Sequence, residues 1–353
     1  MKLGALDIST VKLGTNQVQA VYQGSNLVWQ NAPVATAATG VGQTSFTANW
    51  NAYSGATYYL LDVSESSDFS TFVYENQITT STSYVVIGLN SNTTYYYRVR
   101  ANVGYDSDAQ AFFDRVTTAS GSLSTTEQDA VNTLVVQMKA DGIWTKMKAV
   151  YPMVGASAAA CAQNLTSSSF TGTFASGASF SSAGYNPNAS GYMVTGLVPN
   201  GNLSQNSVHI AQYFPAKPND TSQMGVADSG FSNALYTFWN LTGLGMISRL
   251  NQSSDTFFGS TGLNNGFGIL TRNSSTQSKY YINNSLIATS TIVSNGLSSF
   301  PITLGGRNIA GNITDKSTGI QSFASIGNSL TDTEASNFYT AVQAFQTTLS
   351  RQV

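Results

Sequence analysis

Short runs of Val, Ile, Thr, Tyr and Phe, separated by clusters of Gly, Asn, Ser and Asp, recur along most of this chain. Such runs make pleated strands with one apolar face, and two antiparallel sheets packed face to face bury many of them at once. An all-β protein is therefore expected. Only two segments show a helical period. Ser124-Thr125-Thr126-Glu127 is a capping box followed by Ala130, Val131, Leu134, Val135 and Met138, with Gly142 as the stop. Thr331-Asp332-Thr333-Glu334 repeats the device ahead of Ala335, Phe338, Tyr339, Val342, Phe345 and Leu349. The spacing predicts two amphipathic helices bracketing a strand-rich interior. At 353 residues and 41% hydrophobic, the chain exceeds what one core usually organises. Three parts are expected: 1–31, 32–119 and 123–353, with Ala119-Ser120-Gly121-Ser122 as the joint before the last.

Residues 1–31 alternate small apolar blocks with Gly-containing turns: Val11-Lys12-Leu13-Gly14, then Val18 to Gly24, then Leu27-Val28-Trp29-Gln30. The pattern predicts a small β-hairpin or meander, too small to be stable alone, so its apolar side chains need another surface. The segment resembles one found near the N-termini of phage head-fibre and tail proteins, built on lysine-leucine-glycine, valine-tyrosine-x-glycine and valine-tryptophan. That resemblance implies virion attachment through Val21, Tyr22, Leu27, Val28 and Trp29. A hairpin capping the next module is the alternative.

Residues 32–119 hold the strand-like runs Phe46 to Trp50, Tyr58 to Val63, Tyr84 to Leu89 and Tyr95 to Ala101. In the last of these, Leu89, Thr93, Tyr95, Arg98, Val99 and Ala101 match the fibronectin type III pattern, with Ser91 where that family usually has proline. The resemblance implies a β-sandwich with Trp50 and Leu89 in the core. It makes Tyr95 a corner tyrosine whose hydroxyl bonds back to the chain. Such modules act as spacers or adhesive platforms.

In residues 123–353 the runs Tyr192 to Leu197, Val208 to Tyr213, Leu235 to Trp239 and Phe267 to Arg272 read as strands. A hairpin is expected around Asn283-Asn284, because Asn tolerates positive φ. With Tyr281-Ile282-Asn283-Asn284 and Leu304-Gly305-Gly306-Arg307, the module resembles the concanavalin A-like and laminin-G-like sandwiches, which implies a jelly roll. Met138 to Gly155, and Phe323 through Arg351, are similar to segments recurring in phage virion proteins.

Charged residues are only 9% of the chain and the net charge is −2, so no electropositive surface is available for nucleic acid. The N-terminus lacks a secretory apolar run and no stretch could span a bilayer, so a membrane role is not expected. The single cysteine, Cys161, has no intrachain disulfide partner and no cationic sequence neighbour, which predicts an inert thiol. The single histidine, His209, must serve any triad or zinc site without a second imidazole, and its strand alternation puts it on a polar surface. A glycosidase needs two carboxylates about 5 to 9.5 Å apart across the sugar. Glu127 and Asp129 have a comparable spacing, but they fall in a first helical turn, where acids suit the positive helix end. Asp220, Asp228, Asp255 and Asp315 each stand alone among turn residues, and Asp-x-Asp clusters for calcium are missing. The expectation is no enzyme, no cofactor and no metal site. Tyr213, Tyr236 and Trp239 are the candidates for a sugar-stacking platform, with a core role as the more frequent use of such residues.

These readings point to a structural accessory protein of a bacteriophage virion, a capsid decoration or head fibre displaying adhesive sandwiches. It would assemble in the host cytoplasm and leave by lysis. Its partners would be other capsid or tail proteins, further copies of itself and weakly held host-surface glycans. A tail-fibre component, a bacterial carbohydrate-binding adhesin and a glycan-degrading enzyme are the alternatives.

Overall fold

The computed structural model describes backbone and side chains of residues 33–53, 56–102, 104–216, 223–237, 247–257 and 265–353; elsewhere it describes only the strand pairings named below. The chain divides into two compact units, Met1–Tyr105 and Asp106–Val353. Both are dominated by antiparallel strands, so the all-β expectation is met.

In the first unit, residues 2–30 form three separate two-stranded pairings: Lys2–Leu3 with Leu6–Asp7, Val11–Leu13 with Asn16–Val18, and Ala20–Gln23 with Asn26–Gln30. The side chains of Val21, Tyr22, Leu27, Val28 and Trp29 lie outside the described residues. The sandwich that follows has two three-stranded sheets. One orders Ser83–Val86, Phe46–Trp50 and Ala35–Thr39; the other orders Tyr74–Thr79, Tyr58–Ser64 and Tyr96–Asn102. Period-two alternation makes this core: Phe46, Ala48 and Trp50 are buried, as are Leu61, Val63, Val86, Leu89, Val99 and Ala101. Outside the core, Asp62 is itself fully buried and takes Arg98 Nε at 2.8 Å, Arg100 Nη2 at 3.0 Å and the Asn76 N–H at 2.8 Å. Those partners hold its carboxyl below the usual range against the opposing effect of burial.

Tyr95 packs against the core while its hydroxyl accepts the Asn90 N–H at 2.9 Å and donates to Glu65 Oε1 at 3.1 Å. The first bond closes the turn that carries Ser91, and the second ties it to Glu65, next to the strand Tyr58–Ser64. Replacing Tyr95 by Phe should cost about 1 kcal/mol, because the site is partly solvated and water can substitute. Hydrogen exchange of the amides in residues 89–100 would read the loss; unchanged protection would mean the hydroxyl contributes nothing.

The 32–119 boundary is corrected by the structure. After Asn102 the chain forms no seventh strand; Ser107–Thr118 is a helix within the second unit. Asp106 caps it, accepting the Asp108 N–H at 3.0 Å, and its buried face is Ala109, Phe112, Phe113 and Val116. Burial of that face within the second unit is what moves residues 106–118 out of the preceding sandwich.

The second unit has three layers. Strands Met147–Tyr151, Phe323–Gly327, Val208–Phe214, Gly266–Ser274, Gln277–Ile282 and Ser285–Ser290 form a six-stranded sheet in that order. A nine-stranded sheet built around Thr221–Ala227, Ala234–Leu241 and Gly245–Gln252 faces it. Between them Val208, Ile210, Phe214, Met224, Val226, Leu235, Leu250 and Ile282 form one core. The hairpin turn at Asn283 and Asn284 has φ of 45° and 66°, the pair of left-handed residues a two-residue turn demands.

Both capping boxes are present, and the helices Thr125–Ala140 and Asp332–Thr348 are in contact with each other. They do not merely bracket the sheets. Phe338 and Phe345 pack their rings on Phe267 and Phe323 of the six-stranded sheet, so the helices cover its outer face. Lys146 to Glu334 at 2.6 Å and Lys279 to Asp332 at 2.6 Å tie the start of the last helix to the sheet.

Candidate functional site

The helical layer decides the fate of the one histidine. Odd positions of Val208–Phe214 face the helices, so His209 is fully buried, edge-on to Phe338 at 6.1 Å. The polar-surface expectation is thereby corrected: a strand face that alternation alone marks as outer is covered here. His209 Nδ1 lies 2.6 Å from the Asn328 carbonyl, which can only accept, so Nδ1 holds the proton and Nε2 accepts from the Ser325 hydroxyl at 3.1 Å. Burial pushes its pKa down to about 4, assisted by the Lys146 charge and opposed by the Asn328 carbonyl. Gly327 completes the niche. A Cβ there would sit 2.2 Å from Lys146 O and 2.8 Å from His209 Cε1, so no larger residue fits without movement.

Carboxylates in this module act as struts. Glu127 accepts the Ser124 N–H at 2.8 Å through Oε2 and the Gly155 N–H at 2.7 Å through Oε1, completing the cap and pinning a neighbouring loop. Asp228 accepts from Asn233 at 2.8 Å and from the Ser298 hydroxyl at 2.7 Å. Asp255 pairs with Arg249 at 3.0 Å and Asp315 with Arg307 at 2.7 Å. No group of three His, Cys, Asp or Glu side chains suited to a metal ion occurs among the described residues.

Tyr213 and Tyr236 do not form a platform. Tyr213 is fully buried, packed on Phe267, with its hydroxyl accepting the Val353 N–H at 2.8 Å. Tyr236 is buried, with the guanidinium groups of Arg307 and Arg249 at 4.6 and 5.7 Å from its ring centre, and its hydroxyl donates to Asp255. Burial leaves neither ring open to a sugar, and the glycan-contact reading of both tyrosines is corrected to a core role. Tyr213 and Tyr236 also belong to different sheets, Val208–Phe214 and Ala234–Leu241, a fact hidden from single-strand patterns. The Trp239 side chain lies outside the described residues.

A buried seam of polar side chains was missed in the sequence. Gln212 Nε2 donates to Gln223 O and to Gln321 Oε1, each at 3.1 Å, and Gln321 Nε2 donates to Gln223 O at 3.0 Å. The Thr237 hydroxyl closes the set on Gln212 Oε1 at 3.1 Å. The three glutamines are far apart in the chain, so no local signal announces them; paired as they are, they fix the register of facing strands.

Cys161 is fully buried in the short helix Ala158–Cys161, its Sγ 3.5 Å from Val154 O. Burial pushes the thiol up to about 12, despite the nearby Arg351. A maleimide at pH 8 should therefore leave the native protein unlabelled and react with one thiol per chain in guanidinium. Rapid native labelling would show that the 155–161 segment opens.

A cavity of about 630 Å³ lies not in the large module but at one end of the small sandwich, beside the turns at 41–45 and 89–95. Its volume falls in the range of small-ligand sites.

Fold and site define a two-module β-sandwich protein whose ionisable groups hold structure. No protein-family model and no curated protein matches the chain. Among solved structures it is similar to domain 4 of AbnA, a GH43 extracellular arabinanase from Geobacillus stearothermophilus, solved with arabinotriose. That likeness has 16% identity over 55% of this chain and 98% of the other, with a TM-score of 0.40. It is also similar to the binding domain of botulinum neurotoxin serotype D, at 12% identity over 56% of this chain and 52% of that one, TM-score 0.39. The NanB sialidase of Streptococcus pneumoniae aligns at 20% identity over 38% of this chain and 24% of the enzyme, TM-score 0.32.

Proposed function

We propose that this chain is a non-catalytic structural protein of a bacteriophage particle, a head-surface decoration or fibre. Residues 1–31 attach it, and its two sandwiches serve as contact surfaces for neighbouring subunits and for host-surface glycans. The observation that carries the reading is the use of its acids and its histidine as struts. Asp62, Glu127, Asp228, Asp255 and Asp315 accept donors already at hydrogen-bond distance, and His209 is sealed under a helix. A general base needs a free lone pair facing a cleft, and a general acid needs a transferable proton there. Support for the particle itself comes from the resemblance of residues 1–31, 138–155 and 323–351 to virion segments. A surface in which Ser, Thr, Asn and Gln replace most charges suits water, sugars and subunit contacts.

Electron microscopy and peptide mass spectrometry of the purified particle test this. Density for both sandwiches on the head shell is the expected result; density confined to the tail would move the protein there. Absence from the particle, or polysaccharide turnover that disappears when one acid is neutralised, would sink the reading.

A further inference from the structure

The groove at the end of the small sandwich has an apolar floor and an uncharged polar rim. The half-buried rings of Tyr95 and Tyr97 line the floor, and Tyr97 packs on the core residue Phe46 with ring centroids 5.7 Å apart and a 33° tilt. Around it stand the side-chain amides of Gln43, Asn90 and Asn92 and the hydroxyl of Ser91, none hydrogen-bonded among the described residues. Among the described residues, no Lys, Arg, Asp or Glu lines the groove. The walls are pre-set by backbone bonds: Leu89 N to Thr44 O at 3.0 Å joins the two turns, and Gly42 N to Ser45 O at 2.8 Å closes one of them. Holding the rim in place lowers the ordering cost of binding.

An amide presents a donor and an acceptor side by side, as a sugar hydroxyl does, and an aromatic floor accepts the apolar C–H face of a pyranose. An anionic ligand would find no cation here. We infer that this groove binds a neutral oligosaccharide, which puts the glycan contact in the small module rather than on the large one; the inference rests on the proposed adhesive role.

The full chain is titrated calorimetrically with maltohexaose, cellohexaose, mannohexaose and chitohexaose, with hexagalacturonate as the acidic control. At least one neutral hexasaccharide should bind, and the double variant Gln43→Ala, Asn92→Gly should weaken it by about tenfold. Asn92 has φ of 57°, so glycine keeps the turn, and an unchanged Tm confirms that folding is not the cause. Neutral binding that is equal in the variant overturns the groove but leaves glycan adhesion standing. Binding of hexagalacturonate alone, or of none of the five, overturns the groove and the glycan contact together, while microscopy decides the particle location independently.

Discussion

Replacing Arg272 by Met should lower the stability of the large module by about 3–5 kcal/mol, the usual loss when one side of a buried charged network is removed. Arg272 is fully buried in the strand Gly266–Ser274. Its Nε donates to Leu250 O at 2.7 Å, one terminal nitrogen to Ser274 O and Ser275 O at 3.2 Å, and the other to Gln252 Oε1 at 2.8 Å and Ile292 O at 3.0 Å. No carboxylate lies within ion-pair distance among the described residues, and burial alone pulls the guanidinium below its ordinary value. The planar fork joins three chain segments, the strand Gly245–Gln252, the 274–275 turn and the loop at 292, and adds to the backbone bonds Ser294 N to Ser275 O at 2.8 Å and Asn295 N to Asn251 O at 2.9 Å that also tie them. Methionine fills similar volume, yet takes the guanidinium donors away from five acceptors, of which Ser275 O keeps the Ser294 N–H. Lysine retains the charge and three donors but lacks the fork, so Arg272→Lys should recover less than half of the loss. In a module of this size the Met variant should melt roughly 8–15 °C lower. A drop of under about 1 kcal/mol would mean that the loop at 292 re-forms its bonds with water, contrary to the pinning role.

The second large effect is on pH. The folded His209 has a pKa near 4 because burial disfavours its charged form, whereas the unfolded chain returns it to about 6.5. Between those values the unfolded state binds the extra proton, so stability is full above pH 6.5 and falls as pH drops through the window. The loss amounts to about 2 kcal/mol between pH 7 and 5 and about 3 by pH 4. His209 is the only histidine, so the upper part of this window has a single owner. Asp62 and Glu334, both held below the ordinary carboxylate range, are lost only at lower pH, as protonation reaches their folded values. His209→Asn keeps a donor for the Asn328 carbonyl. Urea unfolding should show a penalty of about 1–2 kcal/mol at pH 7 and a flat profile from pH 7 to 5. A variant with the wild-type slope would assign the dependence to other groups.

Particular residues show what could be read in advance. The two capping boxes were visible because Ser124 with Glu127, and Thr331 with Glu334, satisfy helix-end groups within four residues of chain. The Asn283-Asn284 turn and the alternation Phe46, Ala48, Trp50 were legible for the same reason: their physics is local. The helix at Ser107–Thr118 was misassigned because a boundary depends on which core accepts an apolar face, and Phe112 and Val116 fit either one on pattern alone.

His209, Tyr213 and Tyr236 mark the other limit. Alternation told which side chains share a strand face, and that much was correct for Val208 and Ile210 against His209 and Tyr213. It could not tell that Phe338, more than a hundred residues later, would cover that face, or that Arg249 and Arg307 would lie against a tyrosine ring. Local backbone preference and period are written in neighbouring residues, so strands, caps and turns were available from the chain alone. Burial, proton affinity and the groove floored by Tyr95 and Tyr97 arise from segments meeting across long stretches of chain, where desolvation and packing depend on contacts that no single stretch encodes.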